Sequence, residues 1–184
     1  VTMPHSPRRL LLLVVIVLTV LGVAATPASA HSGTQSYLYL DVTDEALGGR
    51  VEVPLGDIRT HFGLKLQGTD DDALVAELEQ NRAAITSYLD EHVSVGAAGR
   101  TFALEYTDIE VIQVEVPYAI LRFEAEVPDS TVPRRLEVRF DPFFDDIKDR
   151  DGLLLIGNDW KSGIIDNGEE GLLRFDKGAR TQIV

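Results

Sequence analysis

The spacing of apolar residues from position 36 onward predicts a β-hairpin. In SYLYLDV, residues 36–42, Leu38, Leu40 and Val42 alternate with side chains of the opposite face. This alternation is typical of a half-buried strand. The turn-forming cluster DEALGG follows, and RVEVPL then resumes the alternation. Two such runs joined by a turn predict a pair of hydrogen-bonded strands.

Two later segments carry helix signals. In GDIRTHFGL, Asp57 is placed to cap a helix of about two turns, and Gly63 is placed to end it. A longer segment, about residues 70–92, opens with Asp70 or the preceding threonine as a cap and with further aspartates near the positive end of the helix dipole. Its apolar residues share one face: Leu74, Leu78, Ile85 and Leu89. The pattern predicts one long helix that ends near His92.

From Arg100 onward the hydrophobic period changes to two. The phase slips next to Pro117, which predicts a β-bulge or an edge position there. RRLEVRF, DGLLLIG and GLLRF predict further short strands. The chain is therefore expected to adopt an α+β fold that is mainly β: an antiparallel β-sandwich-like domain with one long inserted helix, about residues 70–92.

The amino-terminal segment has the layout of a secretory signal. A basic HSPRR precedes the apolar run 10–25, and the small-residue pattern Ala28-Ser29-Ala30 follows. Residues 1–30 are predicted to be a signal peptide, and residues 31–184 a single exported domain in the periplasm or outside the cell. An uncleaved anchor, which would leave the domain membrane-tethered, is the alternative. The remaining residues contain no second apolar run of membrane-spanning length.

Composition limits the partners and the chemistry. The chain has 17 Lys+Arg and 30 Asp+Glu, a formal net charge of −13, and no cysteine. The acidity argues against nucleic acid and anionic lipid as partners. The absence of cysteine excludes thiol catalysis, thiolate zinc sites and iron–sulfur clusters.

Histidines are the candidate metal ligands of the exported domain. Cleavage after Ala30 would leave His31 as the first residue, whose α-amine and imidazole can bind one metal ion together. One more imidazole would complete a nitrogen set suited to copper or nickel, and His61 and His92 are the candidates for it. The structural alternative is that His31 lies in a solvated terminus and that His61 and His92, at the edges of the apolar helix faces, only pack and hydrogen-bond.

Familiar catalytic patterns are missing from the sequence. It contains no G-x-S-x-G, no H-E-x-x-H and no phosphate-binding glycine loop. The acidic segment DPFFDDIKDRDG fits a calcium loop only in part, because the alignment on Gly152 places Ile147 at the first position and Asn158 at the last. No catalytic residue is assigned, and the chain is predicted not to be an enzyme. A hydrolase that uses a pair of carboxylates is the least favoured alternative.

The start of the exported domain resembles the extracytoplasmic region of HupE/UreJ-type membrane proteins. The features that carry the resemblance are the Ala-His junction, the SYL-x-L strand, and the step Pro-Leu-x-Asp-Ile that ends in Gly-Leu. The matching residues are His31, Ser36, Tyr37, Leu38, Leu40, Pro54, Leu55, Asp57, Ile58, Gly63 and Leu64. The resemblance implies an accessory domain of a polytopic membrane protein that handles nickel or another metal. The sequence contains none of the polytopic helices that would carry transport, so transport itself is not assigned to these residues.

These observations lead to one function hypothesis and two alternatives. We expect an exported, non-enzymatic binding or accessory domain that binds a divalent metal ion through His31 and is associated with a membrane metal transporter. The first alternative is a structural or protein-interaction module without a metal. The second is the carboxylate-dependent hydrolase.

Overall fold

The fold consists of two β-sheets and three helices. The computed structural model describes residues 35–68, 70–128, 131–158 and 173–184. The strands are β1 (Gln35–Val42), β2 (Leu47–Pro54), β3 (Val93–Ala97), β4 (Arg100–Thr101), β5 (Leu104–Ile112), β6 (Tyr118–Ala125), β7 (Glu137–Phe140), β8 (Asp151–Asn158), β9 (Leu173–Phe175) and β10 (Thr181–Ile183). The helices are α1 (Leu55–Phe62), α2 (Asp71–Gln80) and α3 (Arg82–His92). Across the described ranges, no helix has both the length and the apolar character needed to cross a membrane.

The strands are arranged in a six-stranded and a four-stranded sheet. Sheet I has the order β5-β6-β2-β1-β8-β9, and sheet II has the order β10-β7-β3-β4. The predicted hairpin is confirmed, because β1 and β2 pair antiparallel with Leu38 opposite Val51. The prediction of a mainly β fold, rich in antiparallel pairs, is confirmed as well.

One strand pair departs from the antiparallel expectation. β8 runs parallel to β1, with Leu38 opposite Leu154 and Leu40 opposite Ile156. The apolar run LLLI in β8 has the continuous character that parallel, buried strands show. β2 already occupies one edge of β1, so β8 pairs along the other edge.

The predicted long helix of residues 70–92 is not confirmed as a single helix. Asn81, with φ −108° and ψ 8°, separates α2 from α3. Its side-chain amide donates a hydrogen bond to the Glu77 carbonyl at 2.8 Å, a local bond that competes with the helical ladder. The Asp70 cap and the end at His92 are confirmed. The predicted apolar face is buried in both helices: Leu74, Leu78, Ile85 and Leu89.

Two local predictions are wrong. Asp57 does not cap α1, because the helix begins earlier, at Leu55, and Asp57 lies buried in its first turn. Pro117 marks no bulge: residues 113–117 connect β5 to β6, and the register of that pair shifts instead between Tyr106 and Asp108. The helix stop at Gly63 is confirmed, with φ at 66°.

The hydrophobic core draws on both sheets and all three helices. Phe140 of β7 meets Phe175 of β9 edge-to-face, with ring centroids 5.9 Å apart. Gly152 of β8 lies against the Phe140 ring so closely that an added Cβ would come within 2.5 Å of it. These contacts join sheet I to sheet II. The sandwich-like arrangement stays a prediction, which the contacts support.

Gly152 should be intolerant of any side chain. A methyl group at this position would overlap the Phe140 ring, so we expect Gly152→Ala to lower the free energy of unfolding by about 1–3 kcal/mol. Urea unfolding followed by circular dichroism measures the change.

Gly56 provides the matched control. It lies in α1 with nothing within 4 Å of an added Cβ, so Gly56→Ala should leave stability unchanged or raise it by up to about 1 kcal/mol. Equal effects of the two substitutions would contradict the close contact between β8 and β7.

Candidate functional site

The candidate site is built on the segment that connects β7 to β8. This acidic loop, residues 141–150, has the sequence DPFFDDIKDR. α1 and α3 both contact it through polar and aromatic side chains. The loop therefore brings together residues that are distant in the sequence.

Two of the three predicted metal ligands meet at one aromatic cluster. His61, near the end of α1, and His92, at the end of α3, each contact the ring of Tyr88, with ring centroids 4.3 Å apart in both pairs. Phe143 of the acidic loop stacks on the same tyrosine at 5.0 Å. Tyr88 and His92 are four residues apart and share one face of α3. The third predicted ligand, His31, lies outside the described residues, as does the predicted signal peptide.

Each of these histidines faces an aspartate of the acidic loop through Nδ1. His61 Nδ1 lies 2.7 Å from Asp146 Oδ2, within hydrogen-bond distance. His92 Nδ1 lies 3.4 Å from Asp141 Oδ1, and neither atom has a hydrogen-bond partner in the part of the chain that the structure describes. A carboxylate within hydrogen-bond distance of Nδ1, as Asp146 is for His61, favours the tautomer protonated there and leaves the Nε2 lone pair for a ligand. The side chains of His61 and His92 keep 26% and 20% of their surface exposed, so solvent reaches both rings.

The carboxylate of Asp141 is fully buried and compensated by two arginines. Arg139 and Arg180 donate to its Oδ2 at 3.0 and 2.9 Å. Arg180 also makes a two-pronged contact with Asp145, at 2.7 and 2.6 Å. This hydrogen bonding lowers the pKa of Asp145 and raises the pKa of Arg180. The guanidinium groups thus offset the desolvation of Asp141 and leave its Oδ1 turned toward His92.

The backbone of the acidic loop is strained at Phe143. This buried residue has φ at 62°, a conformation that bulky side chains rarely adopt. Its N–H donates a 2.7 Å hydrogen bond to the Tyr88 hydroxyl. Burial raises the pKa of Tyr88 well above its ordinary range, so the hydroxyl stays neutral. The Tyr88 hydroxyl therefore helps to hold the strained turn that places the loop beside the histidines.

A buried ion pair ties the far end of the loop to α1. Asp57 is 2% exposed and accepts a hydrogen bond from Arg150. Burial raises the pKa of Asp57 to about 6, against the opposing effect of Arg150. Asp57 and His61 are one helical turn apart, so α1 contacts the loop at two successive turns.

The chemistry that this arrangement offers is ligand binding by imidazole. Two histidines contact the ring of the same tyrosine, Tyr88, but no group of three or more histidine, aspartate or glutamate side chains in the described ranges is placed to hold a metal ion. The calcium-loop aspartates diverge: Asp149 lies near Lys148, whereas Asp151 pairs with Arg174. Asp57, whose pKa is raised to about 6, is buried and paired with Arg150, which is the setting of a structural group.

The sequence analysis missed four members of the cluster: Tyr88, Asp141, Asp146 and Arg150. The position of Tyr88, one turn before His92 on a helix, was the one local signal that could have identified it. The other three lie in the acidic loop, where a run of charges gives no indication of which charge faces inward. Their partners are set by tertiary contacts.

Comparison with known proteins adds no assignment. No protein-family model matches the chain, and no curated protein matches it.

The Tyr88 hydroxyl should contribute measurably to stability. Tyr88→Phe would leave the buried N–H of Phe143 without its hydrogen bond, so we expect the free energy of unfolding to fall by about 1–3 kcal/mol. Urea unfolding followed by circular dichroism measures the change.

Tyr106 offers a matched control for the loss of a hydroxyl. Its Oη is buried and has no hydrogen-bond partner within the described ranges. Tyr106→Phe should therefore leave stability unchanged or raise it. Should Tyr88→Phe behave like Tyr106→Phe, the hydroxyl does not hold the acidic loop.

Asp57 should give stability a defined pH dependence. Its pKa is about 6 in the folded protein and 3.8 ordinarily. As the pH falls, the folded state therefore binds a proton at Asp57 at a higher pH than the unfolded chain does. The resulting stabilisation is present below about pH 4 and is lost as the pH rises through about 6.

Asp57→Asn removes this titration and isolates its effect. We expect the free energy of unfolding of the wild type, relative to Asp57→Asn, to fall by up to about 3 kcal/mol between pH 4 and pH 7. Urea unfolding of both proteins across this range provides the measurement. If the free energy of unfolding of the wild type, relative to Asp57→Asn, rises with pH instead, attraction by Arg150 outweighs the effect of burial on Asp57.

Proposed function

We propose that this chain is an exported, non-enzymatic binding domain that holds a divalent transition-metal ion, copper or nickel, and serves a membrane metal transporter as an accessory domain. The observation that carries the metal part is the position of an aspartate beside Nδ1 of each cluster histidine, at hydrogen-bond distance for His61 and at 3.4 Å for His92. This arrangement is the usual surrounding of metal-ligating histidines, whose second nitrogen points to the metal.

The cluster offers a metal ion imidazole nitrogens and no unpaired carboxylates of the three aspartates Asp141, Asp145 and Asp146. Asp146 and Asp141 lie on the Nδ1 side of the two imidazoles, as the carboxylates of carboxylate–histidine–metal sites do. His61 and His92 lie on different helices held by the same loop, so their positions are fixed before a ligand arrives. A preorganised pair of imidazoles loses little conformational entropy on binding.

Two imidazoles do not complete a coordination sphere. The proposal assigns the remaining nitrogen donors to the α-amine and the imidazole of His31, on the strength of the sequence alone. Copper(II) and nickel(II) accept such a tetragonal nitrogen set. Export and the association with a polytopic membrane protein rest on the leader-like residues 1–30 and on the resemblance to HupE/UreJ-type proteins.

A second candidate function, a protein-interaction module without a metal, is favoured by a different observation. Both histidines contact the acidic loop and the ring of Tyr88, so packing alone gives them a role. In this case their replacement would lower stability without removing any ligand.

Calorimetric titration with copper(II) and nickel(II) tests the proposal. The chain is produced with its own leader and recovered after export, and mass spectrometry establishes its first residue. We expect one-to-one binding that weakens about tenfold or more in His61→Asn and in His92→Asn, since each removes one donor.

Asp149→Asn is the matched control. It removes a carboxylate of the same loop whose side chain is 79% exposed and faces neither histidine, so metal binding should be unchanged. An extra residue placed before His31 should weaken binding as well. Binding that withstands the loss of both histidines would contradict the metal site, and stability loss without any metal binding would favour the interaction module.

A further inference from the structure

A groove on another part of the molecule collects positive charge. It has a volume of about 550 Å³ and lies between the turn after β3 and the segment that precedes β7. Arg100, Arg134 and Arg135 line it, together with apolar Phe102, Pro128 and Pro133. We refer to these six residues as the arginine groove. None of them belongs to the histidine cluster.

These arginines differ from most others in the protein. Most arginines elsewhere in the described ranges pair with carboxylates, as Arg82 does with Glu79 and Arg122 with Glu110. The side chains of Arg100, Arg134 and Arg135 make no ion pair or hydrogen bond with any residue in the described ranges, and all three residues are exposed. In a chain of net charge −13, with carboxylates in excess, three such arginines around one groove are unexpected.

The chemistry of the groove defines its ligand. Guanidinium groups bind carboxylates through two parallel hydrogen bonds, and their flat faces also pack on apolar surfaces. The half-buried Pro128 and Pro133 line the groove above the buried Phe102, so the groove offers apolar contact as well as charge. A ligand that matches both features carries several negative groups on a partly apolar body.

The position of the groove favours an extended peptide. Arg100 belongs to β4, the last strand of sheet II, and within the described residues no further strand pairs with its outer edge. An extended segment can form main-chain hydrogen bonds along such an edge while its side chains occupy the adjoining groove. We propose that the arginine groove binds a short, acidic and partly apolar segment of a partner protein.

An anionic membrane surface is the less suitable partner. The net charge of −13 repels an extended negative surface as a whole. A short segment within the groove lies inside the screening length of about 8 Å at physiological salt, so it responds chiefly to the three nearby guanidinium groups. The local positive charge therefore favours a peptide over a bilayer.

The test is a titration of the full isotope-labelled chain with the peptide acetyl-Glu-Leu-Glu-Val-Glu-amide, followed by NMR amide shifts. We expect shifts at the groove residues and binding that weakens as salt is raised from 20 to 500 mM. The double variant Arg134→Gln, Arg135→Gln should weaken binding about tenfold or more, because it removes two charge-assisted contacts. A peptide with lysine in place of glutamate should not bind.

Arg59→Gln is the matched control, because Arg59 is also exposed and unpaired within the described ranges but lies outside the groove. It should bind the acidic peptide like the wild type. No binding of the acidic peptide, or equal weakening by Arg59→Gln and the double variant, would overturn the proposal. Binding to phosphatidylglycerol vesicles without binding to the peptide would overturn it in favour of a membrane surface.

Discussion

The buried carboxylate of Asp141 is the contact on which the candidate site depends. It accepts hydrogen bonds from Arg139, two residues earlier in the sequence, and from Arg180 just before β10, and it faces the imidazole of His92 at the end of α3. The backbone N–H of Asp141 also donates to the carbonyl of His92 at 3.0 Å. A charge removed from water this completely is stable only while its partners remain in place. The three segments that supply them are therefore fixed relative to one another at this point.

The position of the acidic loop follows from that anchor. The chain leaves Asp141 and turns sharply at Phe143, whose unfavourable φ is maintained by its hydrogen bond to Tyr88 and by burial of its ring. Backbone strain of this kind persists only where several surrounding contacts hold the residue in the same conformation. Beyond the turn, Asp146 reaches His61 and Arg150 reaches Asp57, so both ends of the loop are held. The two imidazoles are thus oriented by one continuous set of contacts, and no single helix determines their placement.

The local elements of this fold were predictable and the long-range pairs were not. Alternation identified the β1–β2 hairpin, and cap chemistry identified Asp70 and Gly63, because these features depend on neighbouring residues. The pattern does not predict the helix break at Asn81, because the apolar face continues across it. The hydrogen bond that accompanies the break joins the Asn81 side chain to the backbone carbonyl of Glu77. Asp57 was assigned as a cap although its partner, Arg150, lies 93 residues away. Nothing in the residues around Asp57 indicates an ion pair with a residue so distant in the sequence. The local sequence of β8 likewise does not indicate that this strand pairs with β1.

The two candidate binding regions of the molecule differ in how their charged side chains are paired. In the acidic loop, Asp141, Asp145 and Asp146 each face a cationic or imidazole partner, so the loop does not attract cations through unpaired carboxylates. A metal ion would be held there through imidazole nitrogen, and the aspartates would act through the rings that they orient. In the arginine groove the balance is reversed, because three guanidinium groups lack carboxylates in the described ranges although the chain carries acidic groups in excess. The proposed cation site and the proposed anion site therefore use separate residues, and either ligand can bind without competing for the groups that hold the other.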